Sequence, residues 1–588
     1  MSTRHTVQGW RERIEVAREY REKFGRSKEW QRWWEYYRNE YGDRSNYLSV
    51  NMIFAIVRSL VPRLYFRNPR VTITPLRPGL YLQARVLERV DNLMIAQIGV
   101  KKALKAAAQD AFLYGTGIIK RGYDSEFGFD PDQAYEEQGK AVTDSGETRR
   151  GEKIEYDNTI RAGWPWVKRI HPATFYVPWG CSDLESAPWC AHEIIRPVED
   201  VKADPKYSRA ATRDLKGTLT YLPTAVDRQP GSSVRHRLGK TGEYVRLWEI
   251  YDAKTGKIIV IADGHDKILR EDDDPFASTG FPFHPVVFNP DPDHFWGISD
   301  CVNLEPLQLE LNEQRTQLRA HRRIALLKFL YKDGMIDENE LQKLLWGDID
   351  AVGIGIKVNG EPSQAIMALQ PHIPADLVMA TNETRMDMRE ITGFSRNQLG
   401  EYDKSTRRTA TEAAIVEQAA SIRVDERRDV LADALVDIVK AINETIFDYW
   451  TEEHIAQIVG PDGASYWVTF TGDELRGEYA YRIDPDNVLP QTAEKRKQEA
   501  IEVYSVLKDE QVIGPDGQPR PMFNKEYLGR HLLSQYEGID LDLALHPGWV
   551  PPQAGGGPIP IGQLAFMLAQ AQRGGETVAA LPGSLPEM

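Results

Sequence analysis

Two long helical patterns constrain this chain more than anything else in it. Residues 299–330 carry Leu304, Leu307, Leu311 and Leu318 at heptad-like spacing. Residues 409–450 carry Leu431, Leu435, Ile438, Ile442 and Ile446 on a second stripe. At about 1.5 Å per residue the first pattern is a rod of about 45 Å. A rod of that length cannot bury its apolar stripe inside a small round domain. An elongated chain is expected, with apolar faces covered by other parts of it or by further copies. Pro306 falls in the first two turns, where proline is tolerated. The second pattern opens with Thr409-x-x-Glu412, a capping-box spacing in which each side chain satisfies an open backbone N–H. Its first turns are rich in alanine (Ala410, Ala413, Ala414, Ala419, Ala420), which lets a neighbouring helix come close.

Between these rods the sequence makes a compact excursion, residues 331–371. It reads as a short helix, 338–345, and two small strands, 355–358 and 364–369. A second helix at 374–391 and a loop at 393–408 follow. Residues 7–42 read as helical, with Trp30, Trp33 or Trp34, Tyr37 and Tyr41 on one core-facing side. Further helices are expected at 46–60, 81–97 and 100–113. Strands are expected at 63–75, 118–123, 166–170, 174–177, 245–251, 257–262 and 285–288. Residues 124–160 are charged, polar and without periodicity, as in a surface insertion. After residue 460, strands at 466–471 and 479–483 lead to helices near 492–509 and 524–536. The Pro/Gly-rich end from Pro551 holds one short amphipathic piece, 564–571, before a tail expected to be disordered. The fold class is α+β.

Composition narrows the function. The 588 residues carry a formal charge of −14, whereas a protein that grips nucleic acid usually shows a basic surplus. Cys181, Cys190 and Cys301 make neither a disulfide framework nor a zinc pair, so a reducing assembly site is expected. The N-terminus lacks the apolar core of a signal peptide, and the apolar stretch 52–61 is too short to span a bilayer. Enzyme motifs fail one by one. Lys240-Thr241 follows Gly239 as in a phosphate-binding loop, but Val234 stands where the earlier glycine belongs. His192-Glu193 opens a zinc-protease pattern, but Arg196 replaces its second histidine. The acidic run 271–274 reads as a solvated loop. No cofactor, metal site or catalytic residue is expected. Two other readings stay open: a different viral head–tail adaptor, and a nucleic-acid enzyme using carboxylate-bound metal.

Four short segments, in order, resemble the portal proteins of tailed double-stranded DNA bacteriophages. They are Asn51-Met52-Ile53-Phe54 through Pro69, Asp110-Ala111-Phe112-Leu113-Tyr114-Gly115-Thr116-Gly117, Gly297-Ile298-Ser299-Asp300 with Leu307-Gln308-Leu309-Glu310-Leu311-Asn312, and Ser405-Thr406-Arg407-Arg408-Thr409-Ala410-Thr411-Glu412-Ala413. The resemblance covers roughly residues 45–540. It implies a mainly helical portal fold with wing, stem, clip and crown regions that assembles as a ring. The N-terminal wing would be 1–298, the stem helix 299–330, the clip 331–371, the second stem helix 372–392 and the tunnel loop 393–408. A long wing helix, 409–450, C-terminal wing strands, 451–490, crown helices, 491–545, and a tail, 546–588, would complete it.

The resemblance also implies a self-assembled ring of twelve through which double-stranded DNA passes. Its partners would be the large terminase motor, the major capsid protein and scaffold, and a head–tail adaptor, with no membrane. It would be assembled in the host cytoplasm and reside in the virion at the head–tail vertex. Twelve copies would carry about −170, which suits a wall that DNA slides along. Candidate DNA-channel residues are Arg396, Lys404, Arg407 and Arg408 of the tunnel loop. A basic arc on the stem, Arg315, Arg319, Arg322, Arg323 and Lys328, and Trp346 as a clip interface anchor complete the candidates.

Overall fold

The computed structural model describes residues 6–41, 47–64, 70–123, 164–222, 236–237, 244–324, 328–331, 336–342, 357–361, 366–369, 375–393, 410–459, 465–484, 493–507, 511–513, 519–521 and 559–574, apart from 78, 205, 220, 341, 358, 360 and 452. Helices and strands are mixed, as an α+β chain requires. The chain divides into two compact units: residues 1–31, 60–299 and 421–588 form one, and 32–59 with 300–420 form the other.

The first unit opens with α1 (Val7–Phe24), capped by Thr6, whose side chain accepts from Gly9 N. Its apolar side, Val7, Trp10, Ile14 and Ala17, lies on a five-stranded antiparallel sheet. That sheet is built from β4 (Phe175–Tyr176), β5 (Trp189–Pro197), β8 (Tyr244–Asp252), β9 (Lys257–Ala262) and β10 (Arg270–Asp273), ordered β10-β9-β8-β5-β4. Alternate side chains of a strand share a face. Trp189 and Ala191, Trp248 and Ile250, and Ile259 and Ile261 therefore all meet the helix. Arg11 and Arg21 fasten α1 at two points. Arg11 donates to the carbonyls of Ala262 and His265, and buried Arg21 donates to those of Ala173 and Phe175.

Strand β5 was not expected from the sequence, although it pairs with β8 along all nine residues. Its burial pattern is nearly continuous. A strand covered on both faces shows no alternation to read. The acidic run 271–274, expected as a loop, forms most of edge strand β10, paired with β9. Charges along a free edge discourage further strands from adding there.

On the other face of this sheet lies a smaller one, ordered β11-β2-β3, made of β2 (Thr116–Tyr123), β3 (Pro165–Ile170) and β11 (Phe283–Val287). Phe283 meets Tyr251 edge-on at 5.3 Å between ring centres. Between the sheets, fully buried Lys120 reaches Glu249 at 2.7 Å, with His192 Nδ1 3.9 Å from the same carboxylate. The Lys120 ammonium beside it holds the Glu249 carboxyl well below the usual carboxylate range, against the opposing cost of burial.

Helices α4 (Tyr81–Gln97) and α5 (Val100–Tyr114) precede β2. Strand β1 (Arg70–Pro75) pairs antiparallel with β16 (Tyr479–Asp484), far along the chain. The long helix Ala410–Tyr449 has the expected length, and Leu431, Leu435, Ile438, Ile442 and Ile446 are all buried. Thr409 lies outside the described residues, so the expected cap does too. The amphipathic piece expected at 564–571 falls within a helix, and a strand that was not expected precedes it. Ile559–Pro560 adds a parallel strand to β15 (Ser465–Phe470), and helix Ile561–Gly574 follows, burying Ile561 and Leu564. Within the amphipathic piece Leu564 is buried, while Phe566 is 63% exposed. A period-3.6 apolar pattern too short to fold alone becomes stable once a sheet offers it a surface.

The second unit contains helices Cys301–Ile324 (α8, counting the short helices Val198–Ala203 and Arg209–Thr212 as α6 and α7) and Ala375–Thr392 (α9). Between them, strand Lys328–Tyr331 pairs antiparallel with Ile366–Leu369. The first rod was expected to run through residue 330, but it ends at Ile324 and Lys328 lies on the strand. The sequence Lys-Phe-Leu-Tyr fits a pleated, half-buried surface, and partner residues 366–369 supply the hydrogen bonds. Of the expected strand 355–358, only Lys357 is described, and it is in neither helix nor strand. The other expected strand is present, beginning at Ile366. The insertion 124–160 and the expected helix 524–536 lie outside the described residues.

Candidate functional site

The pair α8 and α9 is the candidate site, and its sequence explains how it is held. Lys328 pairs with Leu369, so the end of α8 and the start of α9 lie together. Well inside both helices, Gln314 Nε2 donates to Thr384 Oγ1 at 3.1 Å. The helices are therefore antiparallel. Leu304, Leu311 and Met388 are fully buried.

On a neighbouring side of α8, Gln308, Asn312 and Thr316 recur every four residues and form one row. They hold the extended segment before helix α3 (Met52–Leu64) by its backbone. Gln308 Oε1 accepts from Met52 N at 2.8 Å and Ile53 N at 3.3 Å, while its Nε2 donates to Val50 O at 2.8 Å. Asn312 Oδ1 accepts from Val50 N, and Thr316 Oγ1 accepts from Leu48 N, both at 2.9 Å. Gln308 and Asn312 are fully buried. A buried backbone group without a partner is costly, so this row fixes the register of residues 48–53 along the helix. Leu307 to Asn312 stands out in the sequence as a motif, but its hold on this backbone is visible only in the fold. The visible signal is two amides and a hydroxyl at four-residue steps along one side of the helix. At its N-terminal end α8 is also tied through Glu305, which accepts from Trp33 Nε1 at 2.8 Å and pairs with Arg32.

Two of the four quoted motifs turn out to be halves of one joint within the first unit. Gly115 has φ +87°, and a Cβ there would stand 2.1 Å from Gly297 O. A Cβ on Gly297 would meet Val287 at 2.3 Å and Gly115 O at 2.6 Å. Gly297 N donates to Thr116 Oγ1, and Ser299 Oγ donates to the carbonyl of Leu113 at 2.8 Å. Trp30, Tyr114 and Trp296 pack around this joint. Only glycine permits such an approach. Ser299 ends the stretch 60–299 of this unit, two residues before α8 begins.

Arg315 and Arg319 are half-buried on α8, and Arg322 and Arg323 are exposed in its last turn. Lys328 is not on the helix, so the arc is one residue shorter than expected. Arg396, Lys404, Arg407, Arg408 and Trp346 lie outside the described residues. Elsewhere, His192 stands on a strand and Arg196 is committed to Asp204 at 2.8 Å, so the protease-like spelling has no helical site behind it. A hollow of about 780 Å³ beside β11 is lined by Asp183, Glu185, Asp252, Asp274 and Asp437 among others. Among the described residues no group of three His, Cys, Asp or Glu could hold a metal ion. Nor is any described helix long and apolar enough to cross a membrane.

Helix, strand hairpin, returning helix and very long helix thus follow one another as the resemblance implies. No curated protein matches the chain. The family model described as Phage SU10 portal protein matches residues 10–511, from within α1 to the strand at Gln511–Ile513. The chain belongs to the phage SU10 portal protein family.

Proposed function

We propose that twelve copies of this portal protein form a ring at one vertex of the phage head, through which the genome is packaged, retained and later ejected. The observation that carries this reading is the portal family match over residues 10–511. Portal proteins are structural components of the virion, and the family implies self-assembly together with capsid and packaging partners. In the ring, α8 and α9 serve as the stem, residues 331–371 as the clip and residues 393–408 as the tunnel loop. The clip docks the large terminase motor and then the head–tail adaptor, with Trp346 as an anchor. The capsid and scaffold hold the wing, and residues 491–545 form the crown.

Residues 393–408 carry Arg396, Lys404, Arg407 and Arg408 against Glu401 and Asp403, a basic surplus within a chain of net −14. Contacts from such residues to phosphate are independent of sequence and weaken with salt. They suit a brake on sliding DNA better than a grip. The strong negative charge of the rest repels DNA from the wall. Electron microscopy of the purified protein viewed down its axis should show closed rings with a central hole, formed without nucleotide or DNA. A monomer by light scattering across micromolar concentrations would overturn this reading.

A further inference from the structure

The two helices of the candidate stem carry complementary rows of charge that do not pair with each other among the described residues. On α8, Arg315, Arg319, Arg322 and Arg323 follow one another at steps of four, three and one, a basic row along one side. On α9, Asp376, Glu383 and Asp387 stand at steps of seven and four, again one side of a helix, and all three are exposed. Beside that acidic row, Met379 and Met386 are 64% and 43% exposed. Among the described residues Arg319, Arg322, Arg323, Asp376, Glu383 and Asp387 form no ion pair.

Helix-end electrostatics accounts for part of this. Asp376 lies in the first turn of α9, and Arg322 and Arg323 lie in the last turn of α8, where each charge suits its own helix dipole. That effect falls off within a turn, so it leaves Arg315, Arg319, Glu383 and Asp387 unexplained. The antiparallel packing adds a correspondence of height. With Gln314 level with Thr384, each step along α8 matches one step back along α9. Arg315 then lies at the height of Glu383, and Arg322 at that of Asp376.

We infer that the basic row of α8 in one copy meets the acidic, methionine-flanked side of α9 in the next. The inference rests on the ring reading above and specifies a contact that closes it. In a rotationally symmetric ring each copy offers a different surface to each neighbour, and all copies sit at one height, so like levels meet. Met379 and Met386 are covered in the same contact, where flexible thioether side chains adapt to a neighbouring surface. The arginine row then serves chiefly to join subunits.

The contact is tested by reversing charge on one side at a time in the full chain. Arg319→Glu with Arg322→Glu makes one variant; Asp376→Lys with Glu383→Lys makes the other. Circular dichroism checks that each remains folded, and the neutral pair Arg319→Gln with Arg322→Gln serves if the first does not. Each reversed variant alone should lose at least tenfold in the fraction of closed rings by native mass spectrometry. The neutral pair should show a smaller loss in the same direction. Mixed in equal amounts, the two reversed variants should form rings again, with equal numbers of each, because every junction then joins opposite charges. Rings from either reversed variant as abundant as wild type, or a mixture of folded variants that stays monomeric, would overturn this contact while leaving the ring intact. Wild-type protein that forms no ring would instead overturn the underlying reading.

Discussion

Replacing Asp91 by asparagine should remove a large pH dependence from the stability of this protein. Asp91, on α4, is buried, and Asn443 Nδ2 donates to its Oδ2 at 2.8 Å. The same amide nitrogen lies 3.3 Å from the Tyr481 hydroxyl on β16. Asp91 Oδ1 and Asn443 Oδ1 are both buried and have no hydrogen-bond partner among the described residues. Burial pushes the Asp91 carboxyl up to about 8; the Asn443 hydrogen bond opposes this in part, and the charge of Glu88 adds to it. In the unfolded chain the same group titrates near about 3.9. Between those values the native state keeps a proton that the unfolded chain has released. The native protein therefore binds more protons, and stability falls as pH rises. The contribution is intact below about pH 4 and is lost progressively up to about pH 8. At roughly 1.36 kcal/mol per unit, the loss is on the order of 4 kcal/mol by pH 7.

Protonation also makes Asp91 a hydrogen-bond donor. Asparagine at position 91 reproduces that donor without ionising. Urea denaturation followed by tryptophan fluorescence should give nearly equal stabilities for wild type and Asp91→Asn at pH 4. The variant should be more stable by several kcal/mol at pH 8, with the gap opening between. A gap that stays constant from pH 4 to pH 8 would show that Asp91 does not hold a proton in the fold, and the reasoning would fail.

Other perturbations have expected outcomes of similar sharpness. Lys120→Met strands the Glu249 carboxylate between two sheets and should cost about 3–5 kcal/mol, most of it recovered when Glu249→Gln is added, as read by thermal unfolding. Gln308→Ala leaves Met52 N and Val50 O with only the bond they make to each other, removes the side-chain acceptor of Ile53 N, and should cost about 1–3 kcal/mol; hydrogen exchange at Met52 and Ile53 should speed up, whereas unchanged exchange would dismiss the row of amides as a register device. Gly115→Ala puts a methyl group 2.1 Å from Gly297 O at a positive φ, and the expected result is little soluble protein. Arg407→Ser with Arg408→Ser should leave rings intact while heads lose packaged DNA, and normal DNA content would remove these residues from the channel.

Much of the secondary structure was legible in the sequence because its periodicities were strong and local. The α4 pattern gave Tyr81–Gln97 with its observed ends, and the β9 pattern gave Lys257–Ala262. The stripe from Leu431 to Ile446 located the long helix and its buried side. Portal family membership was legible too, since it rests on the order of elements and on short motifs. Where the reading missed, the cause lay in partners remote in sequence. Strand β5 is hidden because α1 covers one face and the small sheet the other, which erases alternation. Lys328 leaves its helix because residues 366–369 offer a strand to pair with, and Ile559–Pro560 becomes a strand only beside β15.

The candidate site divides the same way. Sequence alone placed Arg315 to Arg323 on one helix and Gly115 and Gly297 in motifs. It could not bring Gly115 against Gly297, set Gln308 under the backbone of residues 50–53, or bury Lys120 beside Glu249. Each of those depends on distance in space between residues separated by a hundred or more positions, and local propensity carries no information about such distances. Packing decides them, because a buried amide, carbonyl or charge must find its partner wherever the folded chain supplies one.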